Sequence, residues 1–348
     1  MPSKPLTLRA LATQAGVSVA TMSLALRNSN EISTATRTRL QKLATEQGYR
    51  PNPHVAKLMT HLRIQSQRVR PANICTLLQS RAHATFSSYS ERLSLSMCAR
   101  AEALGYAHNY VYLDEHRGSD QLQRMLTNQG VEGLVIFPIR NPSDLDLALD
   151  WNAFSTVAAT SSVVSPSFHR IIPNHFDNML LACRSLTEMG FHRIGLAMTR
   201  NWDKRVNYRW TGAYTWHAQF CSTDPVAPLI VDDLNPDLTP DVLTRWIVRE
   251  RPDAVILQTM DWTIVQSALG PLRLSMRPAI VTMNWPDPGA DCGIDQCVER
   301  IGTVTIEQLA AMINRGETGV AEKFNSTLID GVWNPGKLSA QRRAHSAP

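Results

Sequence analysis

The sequence predicts an all-α helix-turn-helix head at the N-terminus, followed by an α/β core of two doubly wound subdomains. Three observations support this prediction. Short amphipathic segments separated by Gly, Ser and Asn fill the first part of the chain, strand-like and helix-like segments alternate from Ala72 onward, and the alternation restarts near Ile171. The chain has 348 residues, 43% of them hydrophobic, which is enough for a large core and a smaller unit beside it.

The head contains three predicted helices. The first places apolar residues at helical spacing and ends at Gly16, a residue type that readily adopts positive φ after a helix. The second runs from about residue 19 to residue 26, and a loop containing Asn28 leads to the third. A Ser or Thr side chain stands where each helix needs an N-terminal cap. These predicted caps are Thr7, Ser18 and Ser33.

Two short helices joined by Gly-Val-Ser form a helix-turn-helix unit, in which the start of the second helix projects toward base edges in the major groove. Val19, Ala20 and Leu24 occupy those positions. Their side chains cannot make bidentate hydrogen bonds, so they can contact only thymine methyl groups. Three short hydroxyl side chains suited to phosphate oxygens accompany them, namely Ser18, Thr21 and Ser23.

The charge is distributed asymmetrically along the chain. The first 70 residues carry eleven basic and two acidic side chains, whereas the rest has a small excess of acidic residues within a net charge of +5. A basic head on a mildly acidic body is expected when one end of a protein meets phosphate. A solvated basic arm, or a three-helix bundle with no role on DNA, is the alternative at this point.

The head resembles the DNA-binding segment of the lac repressor (LacI/GalR) family. The elements that carry the resemblance are residues 6–28, Ile32-Ser33, Thr36-Arg37 and 48–52 (GYRPN), which ends at Asn52. The resemblance implies a hinge helix after Asn52 that folds when two subunits bind DNA. A leucine of that helix wedges into the minor groove, and Val55 and Leu58 are the matching positions.

The hinge is followed by a basic stretch, residues 61–71. It is longer than a minimal linker and contains Arg63, Arg68 and Arg70. One interpretation is an extended hinge with these arginines near phosphate. A plain solvated linker is the other interpretation.

The body is similar to the effector-binding core of the same family, which is periplasmic-binding-protein-like. The matching segments are 130–136 (GVEGLVI), 172–178 (IPNHFDN), 190–195 (GFHRIG), 209–212 (RWTG), 252–256 (PDAVI), 294–296 (IDQ) and 331–336 (GVWNPG). The resemblance implies that Arg209 binds the effector. The family's Gly-Φ-Asp-Asp motif, whose aspartate binds sugar hydroxyls, is replaced by residues 282–287 (TMNWPD).

A polar effector, a sugar or sugar derivative, is expected in the cleft between the two subdomains. Arginine can donate bidentate hydrogen bonds to hydroxyls or a carboxylate, and flat aromatic faces suit sugar rings. A purely structural role in the core is the alternative for the tryptophans. The candidate effector-binding residues are Gln79, Phe86, Tyr89, Trp202, Arg209, Trp210, Asp261, Trp262 and Trp285.

Catalytic and metal-binding motifs are missing from the sequence, which contains no HExxH, paired CxxC, GxSxG, P-loop or GxGxxG. We therefore expect no enzyme activity, no cofactor and no metal. The six cysteines are scattered, there is no secretory leader, and no apolar run reaches the roughly 18 residues of a membrane span. A cytoplasmic protein with reduced thiols and no membrane contact is expected.

Together these features predict a homodimeric transcription regulator, a repressor, that binds a palindromic operator in double-stranded DNA and responds to a carbohydrate effector. A small-molecule binding protein with a vestigial head is the alternative, because the recognition helix is so apolar. The predicted organisation is a head (1–50), a hinge helix and linker (51–71), a core (72–338) and a disordered tail (339–348). The core divides into an N-subdomain (about 72–170 and 296–324) and a C-subdomain (about 171–295 and 325–338).

Overall fold

The computed structural model describes both the head and the core. The residues it describes are 8–26, 28, 32–47, 49, 72–81, 87–116, 118–139, 145, 147–232, 238–258 and 262–338. The predicted hinge and linker (51–71) and the predicted tail (339–348) lie completely outside these residues.

The head is a cluster of three helices, α1 (Leu8–Ala15), α2 (Val19–Leu26) and α3 (Thr34–Glu46). Gly16 follows α1 with φ of 68°, which confirms its predicted role at the helix end. Each helix places apolar side chains toward the other two, because these residues recur at helical spacing. The buried core of the head consists of Leu11, Ala12, Met22, Ala25, Leu40 and Ala44.

The core consists of strands and helices in alternation, as predicted. The strands are β1 (Asn73–Leu78), β2 (Ala107–Tyr112), β3 (Val131–Ile136), β4 (Ser155–Ala158), β5 (His169–Pro173), β6 (Ile194–Thr199), β7 (Leu229–Val231), β8 (Ala254–Leu257), β9 (Ala279–Thr282), β10 (Cys292–Asp295), β11 (Ser326–Ile329) and β12 (Val332–Asn334). The helices are α4 (Ser88–Ala103), α5 (Ser119–Asn128), α6 (His175–Glu188), α7 (Arg200–Arg205), α8 (Arg209–Phe220), α9 (Pro240–Glu250), α10 (Trp262–Leu269) and α11 (Val298–Arg315).

These strands form two six-stranded sheets. The first has the spatial order β11-β5-β4-β3-β1-β2 and is parallel throughout. The second has the order β12-β10-β9-β8-β6-β7, and only β12 runs antiparallel to its neighbour. Helices cover both faces of each sheet, so the central strands are almost continuously apolar and buried, as in β1 and β6.

Two cores flank each sheet. In the first subdomain, α4 and α11 pack on one face and α5 on the other. In the second, α6 and α8 cover one face, while α9 and α10 cover the other. The chain crosses between subdomains three times, and each crossing lies near the carboxyl end of a strand. This arrangement brings the carboxyl ends of both sheets toward the same cleft.

The sheet pairing corrects the predicted subdomain boundaries. The sequence pattern predicts that the first segment of the N-subdomain ends at about residue 170 and that a segment of about 325–338 belongs to the C-subdomain. Both β5 and β11 belong to the first sheet, where Ser326 pairs with Arg170 and Ile329 pairs with Pro173. The crossings therefore lie just after β5 and just after β11, because the two strands pair along their whole length.

Candidate functional site

The recognition helix α2 starts at a side-chain cap. The Oγ of Ser18 accepts a hydrogen bond from the backbone N–H of Thr21 at 3.0 Å, and it lies 2.8 Å from the Thr21 hydroxyl. The predicted cap is therefore confirmed. Ser33 caps α3 in the same way, accepting from the N–H of Thr36 at 3.2 Å. These caps fix where both helices begin, and with that the orientation of the residues in their first turns.

The candidate base-reading residues lie on the solvent side of α2. Val19 is 42% exposed and Ala20 is also exposed, whereas Met22 and Ala25 on the opposite side are buried. Leu24 is half-buried, as are Thr21 and Ser23, and Asn28 is exposed. Helix α3 holds the end of α2 in place, because the Gln41 amide donates to the Ala25 carbonyl at 2.9 Å. The remaining DNA-contact candidates, Thr7, Asn52, Val55 and Leu58, lie outside the described residues.

A cavity of about 260 Å³ lies between the two subdomains. From the first subdomain it is lined by Tyr89 on α4 and by residues 159–162, which follow β4. From the second it is lined by residues that follow the strands of that sheet, including Trp202, Gln258 and Asn284. Ligands of doubly wound proteins bind at the carboxyl ends of strands, so this is the expected location for a ligand.

A tight corner between α7 and α8 positions one wall of the cavity. Asn207 and Tyr208 both have positive φ, of 54° and 58°. The buried carboxylate of Asp203 accepts hydrogen bonds from the N–H and hydroxyl of Thr211, at 3.3 and 2.6 Å. Because Asp203 is buried and both of its carboxylate oxygens accept hydrogen bonds from Thr211, it stabilises the corner and does not face the cavity. The corner carries Trp202, Arg205, Arg209 and Trp210.

The predicted effector residues are placed as follows. Tyr89, Trp202, Trp210 and Trp262 line the cavity. Arg209 is half-buried at its edge, with Nη1 3.5 Å from the hydroxyl of Ser161, which lines the cavity. Gln79 and Trp285 lie outside the lining; the Gln79 carbonyl accepts from the N–H of Asp114, and the Trp285 carbonyl accepts from Arg92. Phe86 and Asp261 lie outside the described residues.

Several lining residues were not predicted from the sequence. They are Ser161, Ser162, His175, Arg205, Gln258, Asn284, Asp287 and Gln296. Most of them stand within a few residues of the carboxyl end of a strand. That position could have identified them from the sequence, because polar residues directly after parallel strands face the ligand crevice.

Five of the lining side chains each carry a buried polar atom without a hydrogen-bond partner in the described part of the protein. These atoms are His175 Nδ1, Trp210 Nε1, Gln258 Oε1, Asn284 Oδ1 and Gln296 Oε1. Buried polar atoms are nearly always paired, so a cluster around one cavity indicates a polar occupant. Because it presents carbonyl oxygens together with the Trp210 ring N–H and an imidazole nitrogen, the cavity suits a ligand with several hydroxyl groups.

Three ionisable side chains that line the cavity have shifted pKa values. Burial, together with the positive charges of Arg209 and Arg205, lowers the pKa of His175 from 6.5 to about 3, so the ring is neutral at pH 7. Burial raises the pKa of Asp287, and hydrogen bonds from Thr282 and Trp262 oppose that rise. Burial also raises the pKa of the Tyr89 hydroxyl, which therefore stays protonated.

An ion-pair network joins the two subdomains beside the cavity. The guanidinium of Arg92 on α4 donates to Asp295, to Glu299 and to the Trp285 carbonyl, at 2.6–3.3 Å. The hydrogen bonds to Glu299 and Asp295 raise the pKa of Arg92, and the guanidinium lowers the pKa of Glu299. Because Trp285 belongs to the second subdomain, this arginine links the relative position of the subdomains to the loop after β9.

The buried neutral His175 predicts a pH dependence of stability. Its folded pKa lies below the unfolded value of 6.5, so the unfolded chain takes up the proton first as the pH falls. The stabilisation is complete above about pH 6.5 and is lost toward pH 3, amounting to about 2 kcal/mol by about pH 5. Urea unfolding at about pH 7.5 and about pH 5 should show this loss, and His175→Gln should reduce it by about that amount. His192→Gln, at an exposed position, is the matched control and should retain the wild-type loss; an equal loss in His175→Gln would contradict the assignment.

The described residues contain no group of three or more His, Cys, Asp or Glu side chains placed to hold a metal ion. None of the described helices is both long enough and apolar enough to span a membrane.

Comparison with known proteins bears on both parts of the chain. Residues 7–52 match the sequence profile of a family described as bacterial regulatory proteins, lacI family. No curated protein sequence matches the chain at a significant level.

Solved structures with the same fold cover three quarters or more of this chain. A lac repressor dimer bound to operator and the anti-inducer ONPF shares 18% identity, covering 95% of this chain and 98% of that chain, with a TM-score of 0.52. A complex of the transcriptional regulator CelR with cellobiose shares 19% identity over 95% and 100% of the two chains, with a TM-score of 0.54. A LacI-family regulatory protein from Chloroflexus aggregans shares 18% identity over 76% and 98%, with a TM-score of 0.54. At these identities the likeness establishes the fold.

A helix-turn-helix head with an exposed recognition helix, followed by two α/β subdomains around a cavity, is the architecture of a DNA-binding transcription regulator. Residues 7–52 match the lacI family of bacterial regulatory proteins, and the core has the fold of the lac repressor structures.

Proposed function

We propose that this protein is a repressor that binds a palindromic operator as a homodimer. Its affinity for the operator falls or rises when a small carbohydrate occupies the cavity. The cluster of unpartnered buried polar atoms around a cavity in the core carries this proposal, because it indicates a polar ligand site in the same chain as a DNA-binding head. The head (1–50) would then bind DNA, the core (72–338) would bind the ligand, and the hinge (51–71) would link the two.

On DNA, each subunit would place the start of α2 in the major groove of one half-site. Val19, Ala20 and Leu24 would contact thymine methyl groups and sense DNA shape, because none of them can hydrogen-bond to bases. Val55 and Leu58 of the hinge would wedge into the minor groove and bend the duplex. The polar candidates that complete the interface are Thr7, Ser18, Thr21, Ser23, Asn28, Ser33 and Asn52.

In the cavity, the ligand would stack on tryptophan and accept or donate hydrogen bonds around its ring. Trp202 and Trp262 line the cavity, and Trp210 is held edge-on against His175 with ring centroids 5.4 Å apart. A structural relative supports a carbohydrate, since the CelR regulator forms a complex with cellobiose. Tyr89, Arg209, Phe86 and Asp261 remain candidate contacts, whereas Gln79 and Trp285 lie outside the lining.

Control of DNA affinity would arise from closure of the cleft. The lining comes from both subdomains, so an occupied cavity favours one relative arrangement over the other. The Arg92 network joins the same two subdomains and would be remade by such a change. A ligand shifts operator affinity only as far as it binds the two arrangements differently.

Arg209→Ala should abolish the ligand-induced change in operator affinity while sparing operator binding itself. The guanidinium reaches from α8 to Ser161 in the first subdomain, so its loss removes a contact that depends on cleft geometry. Fluorescence anisotropy of labelled operator, with and without ligand, measures the change, for which about 5–150-fold is typical. Arg273→Ala, at an exposed position, is the matched control, and an undiminished ligand effect in Arg209→Ala would refute the role.

Selection of bound sequences from a random duplex pool tests the proposal as a whole. The expected result is a palindrome whose half-sites are separated by about one helical turn. If no duplex is bound at about 50 mM salt, the protein is a small-molecule binding protein with a vestigial head, and the proposal fails.

A further inference from the structure

We infer that the ligand of this cavity is anionic, a hydroxyl-rich compound of one sugar unit that carries a carboxylate or phosphate group. This inference rests on the proposed function and specifies its effector. The anionic group would lie at the α7–α8 corner, against the loop that follows β4, and the hydroxyl groups would lie at the opposite end, beside β9 and β10.

Two arginines belong to the α7–α8 corner. Arg205 lines the cavity, and its guanidinium lies 4.4 Å from the ring centroid of Trp202. Arg209 begins the next helix, and its Nη1 lies 3.5 Å from the Ser161 hydroxyl across the cleft. Guanidinium groups and a serine hydroxyl provide the donors that carboxylate and phosphate oxygens require.

No described carboxylate forms an ion pair with Arg209, whose side chain donates only to the Ser161 hydroxyl and the Val206 carbonyl. The nearby Asp203 uses its carboxylate within the corner, on Thr211. The positive charge at this end of the cavity also affects two neighbouring groups. Burial lowers the pKa of Arg170 and of His175, and the charge of Arg209 lowers both pKa values further. An anion at this position would offset that repulsion.

His175 provides a further polar group at the same end. Its ring is 7% exposed and neutral, and Nδ1 has no partner among the described residues. A neutral imidazole can donate one hydrogen bond to an anion without adding charge of its own. An unpartnered ring nitrogen beside two arginines therefore fits an oxyanion.

The opposite end of the cavity has the complementary character. Asn284 and Gln296 present unpartnered carbonyl oxygens there, and Gln258, which follows β8, presents one between the two ends. Asp287 lines the same end, with its carboxylate held by the Thr282 hydroxyl at 2.6 Å and by the Trp262 side chain. These acceptors suit hydroxyl groups, and they would repel a second anion.

Sheet order gives the separation between the two ends. Arg205 follows β6 and Asp287 follows β9, and only β8 lies between those strands. Two strand spacings amount to about 10 Å, so one compact ligand can reach both ends. The cavity volume of about 260 Å³ lies below the range of about 300–1,000 Å³ usual for drug-sized ligands, which favours a single sugar unit.

Thermal unfolding of the full chain in inorganic phosphate tests the anion end without knowledge of the natural ligand. Phosphate should raise Tm above that in sodium chloride of equal ionic strength. Arg205→Gln and Arg209→Gln should each remove the increment, Arg205→Lys should retain part of it, and the exposed control Arg273→Gln should retain all of it. If phosphate raises Tm equally in all variants, it binds as an adventitious ion only, and the inference is overturned. The inference is also overturned if phosphate does not raise the Tm of the wild type.

Calorimetric titration with matched sugars separates the ligand classes. The probes are glucose, glucuronate, glucose 6-phosphate and glucosamine, with the same series built on galactose. An acidic sugar should bind on the order of tenfold tighter than its neutral parent, and that preference should disappear in Arg209→Gln. A preference for the uronate or for the phosphate ester identifies which anion the site takes. Tighter binding of a neutral sugar or an amino sugar, or binding of none of the probes, overturns the inference.

The two proposals fail in different ways. If a neutral sugar binds and shifts operator affinity, effector control stands and the anionic class is wrong. If phosphate stabilises the protein through both arginines but no bound probe changes operator affinity, the ligand class stands and effector control is wrong.

Discussion

Replacing Ala20 with aspartate is expected to weaken operator binding by about 100-fold or more while the head remains folded. Ala20 is exposed in the first turn of α2, so the new carboxylate meets no protein atom that it must displace. An acid in the first turn of a helix is mildly stabilising, because it opposes the helix dipole. The same acid would face the DNA, where juxtaposed like charges cost several kcal/mol, and about 3 kcal/mol corresponds to 100-fold.

The control for this prediction is Thr38→Asp, which makes the same change in charge at an exposed position of α3. Circular dichroism should show both variants folded, and anisotropy titrations at one salt concentration should show a large loss for Ala20→Asp only. Equal and small losses in the two variants would mean that α2 does not face the DNA.

Gly293→Ala is expected to destabilise the second subdomain by about 3 kcal/mol or more. A Cβ at this position would lie 2.3 Å from the Thr282 carbonyl oxygen. Gly293 pairs with β9 on one side and with Asn334 of β12 on the other, so β10 cannot move away. The same strand ends beside Gln296 of the cavity, so ligand binding should be lost as well.

Calorimetric unfolding should show a Tm lower by about 6–12 °C for this variant. Gly212→Ala is the matched control, since Gly212 lies in α8 and a Cβ there would meet no atom within 4 Å. That substitution should be neutral or stabilising by up to about 1 kcal/mol, because alanine loses less backbone entropy in a helix. A Tm for Gly293→Ala that equals the wild-type value would show that the strands can separate at this point.

Local signals in the sequence predicted much of the fold. Gly16 after α1, the caps Ser18 and Ser33, and the alternation of apolar strands with amphipathic helices all report interactions within a few residues. Such interactions are the ones that a linear pattern records. Helix α4 (Ser88–Ala103) is an example, because its amphipathic segment ends just before Gly105, where φ is 81°.

Long-range pairing was not predictable in the same way. Strand β11 contacts β5 more than 150 residues earlier, and the local pattern of Ser326–Ile329 does not indicate which sheet it joins. The cavity residues present the same difficulty, because Ser161, Arg205 and Asn284 come from different strands and meet only after folding. A polar residue directly after a strand can be predicted to lie at the carboxyl end of a sheet, but the residues that it contacts cannot be predicted from the local sequence.

The aromatic candidates show where residue type alone is insufficient. Trp202 and Trp262 line the cavity, whereas Trp285 lies outside the lining although it stands in the loop after β9. The Trp285 carbonyl is held by Arg92, and a Cβ on Gly336 would meet its ring, so this side chain packs against the end of the chain.

The most direct test of ligand-controlled DNA binding is a titration of the full-length protein with a duplex chosen by selection, with and without a ligand that binds the cavity. We expect an operator Kd that rises log-linearly with salt and changes by about tenfold or more when the ligand is present. No binding to any duplex at about 50 mM salt, or an operator Kd that stays the same while the cavity is demonstrably occupied, would contradict such control.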